Sequence, residues 1–204
     1  MRDILIATGN PDKAREIEQI LSRADDGGPL AICWHRLSEF GKMAEPVEDG
    51  DTFLANAELK ARYYAQKTGL WTIADDSGLQ VDALDGRPGV RSARYAGDDA
   101  TYADNNALLV RELAGVPTEQ RTARFRCVVV LSDGQQLLAS AEGCVEGKIV
   151  DEARGNGGFG YDPHFWVEDK QMTMSEMTPE QKHAISHRGR AMRALRDKLA
   201  DLVG

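Results

Sequence analysis

Long apolar runs are missing from this chain: none is longer than Cys127 to Leu131, which is far too short to cross a bilayer. The polar loop that directly follows Met1 to Ala7 leaves no room for a secretory h-region, so a cytoplasmic protein without a membrane partner is expected. Cysteine is scarce. The three present, Cys33, Cys127 and Cys144, are odd in number and lack CxxC spacing, which supports neither a zinc site nor a disulfide framework and leaves reduced thiols as the expectation. A basic surplus is also absent: 25 Lys and Arg against 33 Asp and Glu give a net charge of −8, which argues against a nucleic-acid polymer as the main partner. No internal repeat, low-complexity tract or linker divides the 204 residues, so one domain is expected, with two lobes possible.

Against that acidic background, residues 182 to 198 hold Lys182, Arg188, Arg190, Arg193, Arg196 and Lys198 with only Asp197 opposing, a local patch suited to a small anion. A solvated arginine face at Arg190, Arg193 and Arg196, spaced i, i+3, explains part of it equally well. The segment Gly155 to Pro163 carries four glycines in six residues before Tyr161. Without Cβ atoms such a chain can turn its N–H groups toward a ligand, while Phe159 and Tyr161 offer flat faces to a ring.

Periodicity predicts an α/β fold with a mixed sheet. Ile4 to Ala7 reads as a strand, followed by a tight turn and a helix carrying Ala14, Ile17, Ile20 and Leu21. Leu30 to Trp34, preceded by the turn-rich Asp25 to Pro29, is a second strand. Thr52 to Thr68 reads as a helix capped by Thr52 with Phe53, Ala57, Ala61 and Tyr64 inward. Leu70 to Ala74 is a strand delivering Asp75 and Asp76 at its end, with Ser77-Gly78 marking the stop. A helix over Asp98 to Leu113, capped by Asp98 or Asp99, buries Leu108, Leu109 and Leu113. Asp133-Gly134 predicts a type I′ hairpin between Ala123 to Leu131 and Gln135 to Ala141. A final helix, Lys182 to Val203, buries Met192, Leu195, Leu199 and Leu202.

Four segments carry chemistry. Thr8, Gly9, Asn10, Pro11, Asp12 and Lys13 sit where a strand meets a helix, where unpaired N–H groups and a lysine suit phosphate oxygens, although the GxxxxGK[ST] phosphate loop is absent. Asp75 and Asp76 at a strand end suit a hard cation such as Mg²⁺, with Glu48, Asp49 and Asp51 as further acids. Asn56 and Lys60, i and i+4, share a helix face and could approach the same phosphates. In Lys182 to Arg188, a stretch without a carboxylate of its own, the donors Lys182, His187 and Arg188 would accept a 6-keto purine while resisting a 6-amino one. His35 and His164 have no chemical company. These are the parts of a nucleoside triphosphate site.

The segments TGNPDK (8–13), FLANAELKAR (53–62), ADDSGLQVDALDGRPGVRSARYAG (74–97), GGFGYDPHF (157–165) and AISHRG (184–189) closely resemble the RdgB/HAM1 family of inosine triphosphate pyrophosphatases, in order over nearly the whole chain. The resemblance implies an elongated mixed β-sheet with flanking helices, two lobes around a central cleft, and a homodimer that hydrolyses ITP, dITP and XTP to the monophosphate and pyrophosphate with Mg²⁺. It further implies that Thr8 to Lys13 bind triphosphate, that Asp76 is proton acceptor and metal ligand with Glu48 near the metal, and that Ser77 contacts substrate. Phe159, Gly160, Tyr161 and Asp162 would wrap the nucleoside, and Lys182, His187 and Arg188 would read the base. Lys60 and Asp75 are additions from residue chemistry alone. Two other readings compete: a pyrophosphatase for modified pyrimidines, as in the related Maf-type proteins, and a nucleotide sensor without hydrolysis.

Overall fold

The computed structural model describes residues 1–21 and 30–203; the predicted turn at Asp25 to Pro29 lies outside them. In chain order the elements are β1 (Arg2–Ile6), α1 (Pro11–Leu21), β2 (Ile32–Arg36), α2 (Phe53–Thr68), β3 (Trp71–Val81), α3 (Tyr102–Glu112), β4 (Thr122–Ser132), β5 (Leu137–Ile149), β6 (Phe165–Val167), β7 (Met172–Thr173), α4 (Pro179–Ile185) and α5 (His187–Val203). The strands form a seven-stranded mixed sheet in the order β2-β1-β3-β4-β5-β6-β7. β1 pairs in parallel with β2 and β3, whereas β6 runs antiparallel to β5 and β7. Among the described residues no helix is long and apolar enough to cross a membrane.

The chain divides into two compact units. One comprises Met1–Asp76, Cys127–Gly143 and Arg188–Gly204; the other comprises Ser77–Arg126 and Cys144–His187. Each has its own core. In the first, Ile4 and Ile6 of β1, Ile17 and Ile20 of α1, Ile73 of β3, Cys127 to Leu131 of β4 on alternate positions, and Met192, Leu195 and Leu199 of α5 pack together. The second buries Leu79 and Val81 with Leu109, Leu113, Phe125, Tyr161, Phe165 and Met174.

α2 begins where its sequence says it should, because the Thr52 hydroxyl accepts the Ala55 N–H at 3.1 Å and occupies one of the orphan donors of the first turn. Its stripe of Phe53, Ala57, Ala61 and Tyr64 is buried as expected. Other expectations need correction. α3 starts at Tyr102, since Thr101 and Asp104 form a reciprocal capping box that Asp98 and Asp99 do not, and Leu108 is only half-buried. Asp133 stays out of the positive-φ region that a type I′ turn requires; its carboxylate instead accepts the Gln135 and Gln136 N–H groups, both at 2.8 Å, in a four-residue connection. The last predicted helix is broken at Ser186 into α4 and α5, and Leu202 is 40% exposed.

Candidate active site

β3 does not stop at Ser77-Gly78 but runs on to Val81, because Leu79 and Val81 find a core of their own. Successive side chains of a strand point to opposite faces, so Asp75 and Asp76 are not a pair. Both are buried, at 2% and 6% exposure, yet each has a different set of partners.

Asp75 faces α1 and α5 within the first unit. Its Oδ2 lies 3.3 Å from Lys13 Nζ, 3.3 Å from Arg188 Nη2 and 3.8 Å from Cys127 Sγ. Arg188 Nη1 donates to Glu16 Oε2 at 2.5 Å, so two carboxylates balance two cations here, while Asp75 Oδ1 is buried without a hydrogen-bond partner among the described residues. Burial pushes the Asp75 carboxyl up, but Lys13, Arg188 and Lys60 outweigh it and hold the group below the ordinary carboxylate range. The same surroundings push the Cys127 thiol far up, chiefly by burial, so it stays protonated.

Asp76 faces α2. Asn56 Nδ2 donates to its Oδ2 at 3.2 Å, and Lys60 Nζ approaches its Oδ1 at 3.4 Å while donating to Glu48 Oε2 at 3.0 Å. The orientation of the Asn56 amide is fixed by its Oδ1, which accepts the Gly50 N–H at 2.8 Å. Here burial wins: it raises the Asp76 carboxyl above its ordinary value, Lys60 and Lys13 only partly offset it, and Glu48 adds to the rise. A carboxylate biased toward holding a proton, yet ringed by cations that keep it ionisable, is suited to general-base work.

The loop between β1 and α1 is organised by Asn10. Its Oδ1 accepts the N–H groups of Asp12 at 2.9 Å and Lys13 at 3.2 Å, while Thr8 Oγ1 accepts the Asn10 N–H at 3.2 Å. The first free amides of the helix are therefore capped internally, and Lys13 is the feature of this turn best suited to meeting an anion. A Cβ at Gly9 would meet only the movable end of the exposed Glu45 side chain.

In the second unit, Lys182 is 4% exposed; its Nζ donates to Asp162 Oδ2 at 2.6 Å and lies 4.9 Å from the centre of the Phe159 ring. Asp162 Oδ2 also accepts the Phe159 N–H at 2.8 Å, and Gly158, at φ 68°, leaves no room for a Cβ beside that carboxylate. Gly160 contributes its carbonyl to Asn106 Nδ2 at 2.9 Å. Tyr161 is in the core with its hydroxyl donating to the Ser92 carbonyl at 2.8 Å, so of the two aromatics expected to offer flat faces only Phe159 remains half-exposed. His187, the first residue of α5, stacks on Phe125 with ring centres 4.8 Å apart. Ser77 is half-buried in β3. The picture of Lys182 and Arg188 as cations without nearby acids is corrected: Lys182 rests on Asp162, and Arg188 on Glu16 and Asp75. Sequence spacing could not reveal these partners, since Glu16 and Arg188 are 172 positions apart. Nor were His35 and His164 without company, for His35 contacts Asp3 and Glu39, and His164 Nδ1 meets the Val150 carbonyl.

A model of the Ham1 family matches residues 4–198. The chain belongs to that family. A dITP/XTP pyrophosphatase of Geobacter sulfurreducens is 49% identical over 199 residues, covering 98% of this chain and 97% of that protein. The dITP/XTP pyrophosphatase of Bacillus subtilis is 45% identical over 195 residues, with 96% of each chain covered. Among solved structures, a HAM1 protein from Coxiella burnetii matches with a TM-score of 0.86 at 39% identity, covering 98% of this chain and all of that one. The Staphylococcus aureus Ham1 protein matches with a TM-score of 0.85 at 35% identity, over 98% of this chain and 100% of that one. The α/β fold expected from the sequence is therefore the fold of the Ham1 family.

Proposed function

We propose that this Ham1-family chain is a nucleoside-triphosphate diphosphatase that hydrolyses the noncanonical purine nucleotides ITP, dITP and XTP to the monophosphate and pyrophosphate. The observation that carries the reading is the buried Asp76 carboxylate, raised above its ordinary value and surrounded by Asn56, Lys60 and Glu48, in a chain whose near relatives bear the name dITP/XTP pyrophosphatase.

Mg²⁺ suits this cluster, since Glu48 and Asp76 offer hard oxygens that already share one cation, the Lys60 ammonium, at 3.0 and 3.4 Å. Glu48 and Asp76 would hold the ion, and bound there it would draw charge from the phosphate oxygens and make the α-phosphorus more electrophilic. Asp76 orients the attacking water and takes its proton as the new P–O bond forms and the α–β bridging oxygen departs with pyrophosphate. Lys13 and Lys60 stabilise the charge that develops on that leaving group, and Thr8, Gly9, Asn10, Pro11 and Asp12 form the loop from which Lys13 reaches it.

Selectivity is assigned to the remaining residues. Phe159 supplies a ring for the base to stack on, Gly160, Tyr161 and Asp162 shape the collar around the nucleoside, and Ser77 contacts the substrate. Lys182 and His187 supply donors for a 6-keto edge, with Arg188, paired with Glu16 and Asp75, fixing the start of α5 that carries His187, and a 6-amino group facing donors leaves buried N–H groups unpaired. The acidic balance of the chain supports a small nucleotide rather than a nucleic-acid polymer as partner. The family resemblance supports a homodimer working in the cytoplasm, and sedimentation against the chain mass of 22.4 kDa checks the former.

A triphosphate panel tests the reading. ITP, dITP and XTP are expected to yield monophosphate and pyrophosphate with Mg²⁺, at kcat/KM at least ~100-fold above ATP, GTP and pyrimidine triphosphates. Diphosphate plus orthophosphate, or a preference for pyrimidines, would contradict it; binding without turnover would leave a sensor.

A further inference from the structure

Outside the Asp76 cluster, the face of the β1–β2 ladder turned away from the first unit's core gathers three metal-ligating side chains. The parallel register sets Asp3 opposite Cys33 and Leu5 opposite His35. Alternation then puts Asp3 of β1 and Cys33 and His35 of β2 on one side, while Ile4, Ile6, Ile32 and Trp34 pack into the core on the other. One ligand atom from each of the three, a carboxylate oxygen, a thiol sulfur and an imidazole nitrogen, lies within 4.8 Å of the others. Cysteine spacing in the sequence gave no sign of this, because the ligands come from two strands rather than from a CxxC turn.

His35 is held as metal-bound histidines are held. Its Nδ1 lies 2.9 Å from Glu39 Oε2, and the other oxygen of Glu39 accepts the Arg36 N–H at 2.9 Å, so the carboxylate that orients the ring is itself pinned. With Nδ1–H donated to Glu39, the second nitrogen, Nε2, is directed at Asp3 Oδ1, 2.8 Å away. The Glu39 contact is the outer half of a carboxylate–histidine–metal arrangement, in which the outer carboxylate fixes the tautomer and raises ligand basicity.

We propose that Asp3, Cys33 and His35 form a binding site for a borderline thiophilic divalent ion of the zinc class, distinct from the Mg²⁺ of the proposed reaction. A mixed N, O, S donor set selects such an ion over Mg²⁺, which favours oxygen ligands alone. Binding forms bonds from the ion to His35 Nε2, Cys33 Sγ and Asp3 Oδ1, releases to solvent the thiol proton and any proton on Nε2, and leaves a fourth position for water. Ligands at about 2.0–2.3 Å from a tetrahedral ion are separated by more than 2.8 Å, so Asp3 and His35 spread slightly on loading. Both side chains are partly exposed, at 55% and 25%, and are free to do so.

The full-length protein, stripped with chelator and dialysed, would be titrated with Co²⁺ and read by absorption. One equivalent is expected to produce both a thiolate-to-cobalt charge-transfer band and the visible bands of tetrahedral Co²⁺. Zn²⁺ should abolish them, and millimolar Mg²⁺ should not. Cys33→Ser should remove the charge-transfer band, and Glu39→Gln should weaken binding by about 10–100-fold as the loss of an outer carboxylate does. Should Cys33→Ser fold poorly, protection of Cys33 from alkylation by Zn²⁺ in the unaltered chain reads the same contact. Absence of the charge-transfer band, its survival in Cys33→Ser, or alkylation of Cys33 unaffected by Zn²⁺ would overturn the proposal.

Discussion

Asp75 and Asp76 are neighbours in one strand and opposites in environment. On the Asp75 face, Lys13 and Arg188 meet one oxygen of the carboxylate and Glu16 balances the second cation, so the group is held ionised in an ion network that ties α1 and α5 to β3. On the Asp76 face burial raises the proton affinity, Lys60, Lys13 and the Asn56 amide only partly offset it, and Glu48 adds to the rise. A single step along a strand thus separates a counter-ion that stabilises the fold from a carboxylate fit for chemistry. Burial alone does not distinguish them, since both are almost wholly buried; the charges around each decide.

Four substitutions or conditions sharpen that contrast. The largest effect is expected from Asp76→Asn, which should lower kcat by about 10³–10⁴-fold with nucleotide binding retained, because the proton acceptor is gone while the cations that hold phosphate remain. Steady-state kinetics and nucleotide titration check it. Asp75→Asn should instead act on the fold. Removing one member of a buried ion network leaves Lys13 and Arg188 short of a counter-charge and is expected to cost about 3–5 kcal/mol, read from denaturant or thermal unfolding.

Acid should separate the two faces as well. The Asp75 carboxyl is held below its ordinary value of 3.8, so its contribution to stability is complete above that pH and drains away as pH falls through the lower folded value. The unaltered chain should therefore lose stability on acidification below about 3.8, and Asp75→Asn should show a shallower fall over the same window. The sign for Asp76 is the reverse, because a raised folded value means that folding favours its protonated form. The smallest effect is expected from Thr52→Ala. It removes the cap of the helix that carries Asn56 and Lys60 and should cost about 1 kcal/mol without changing the pH dependence, as a thermal melt would show.

Much of the architecture was legible because its causes are local. The cap at Thr52 and the 3.6-residue recurrence of Phe53, Ala57, Ala61 and Tyr64 specify α2 within its own segment. The β4–β5 hairpin was legible for the same reason, although its turn type was not, since Asp133 caps the connection through its side chain. What stayed hidden depends on distant partners. Ser77-Gly78 reads as a strand stop until Leu79 and Val81 find their buried places, and that continuation is what turns Asp75 and Asp76 apart. Arg188 reads as an uncompensated cation until Glu16 and Asp75 are seen beside it. Tyr161 reads as a stacking face, but the residues that bury it and the Ser92 carbonyl that accepts its hydroxyl hydrogen bond lie elsewhere in the chain.

The division of labour within β3 is tested most directly by pyrophosphate release from dITP under Mg²⁺ in a single turnover of Asp76→Asn, with folding and nucleotide binding verified on the same sample. A folded, nucleotide-binding protein that releases no pyrophosphate on the timescale of the unaltered enzyme is the result expected. Release at the unaltered rate would contradict the assignment of Asp76 as the proton acceptor.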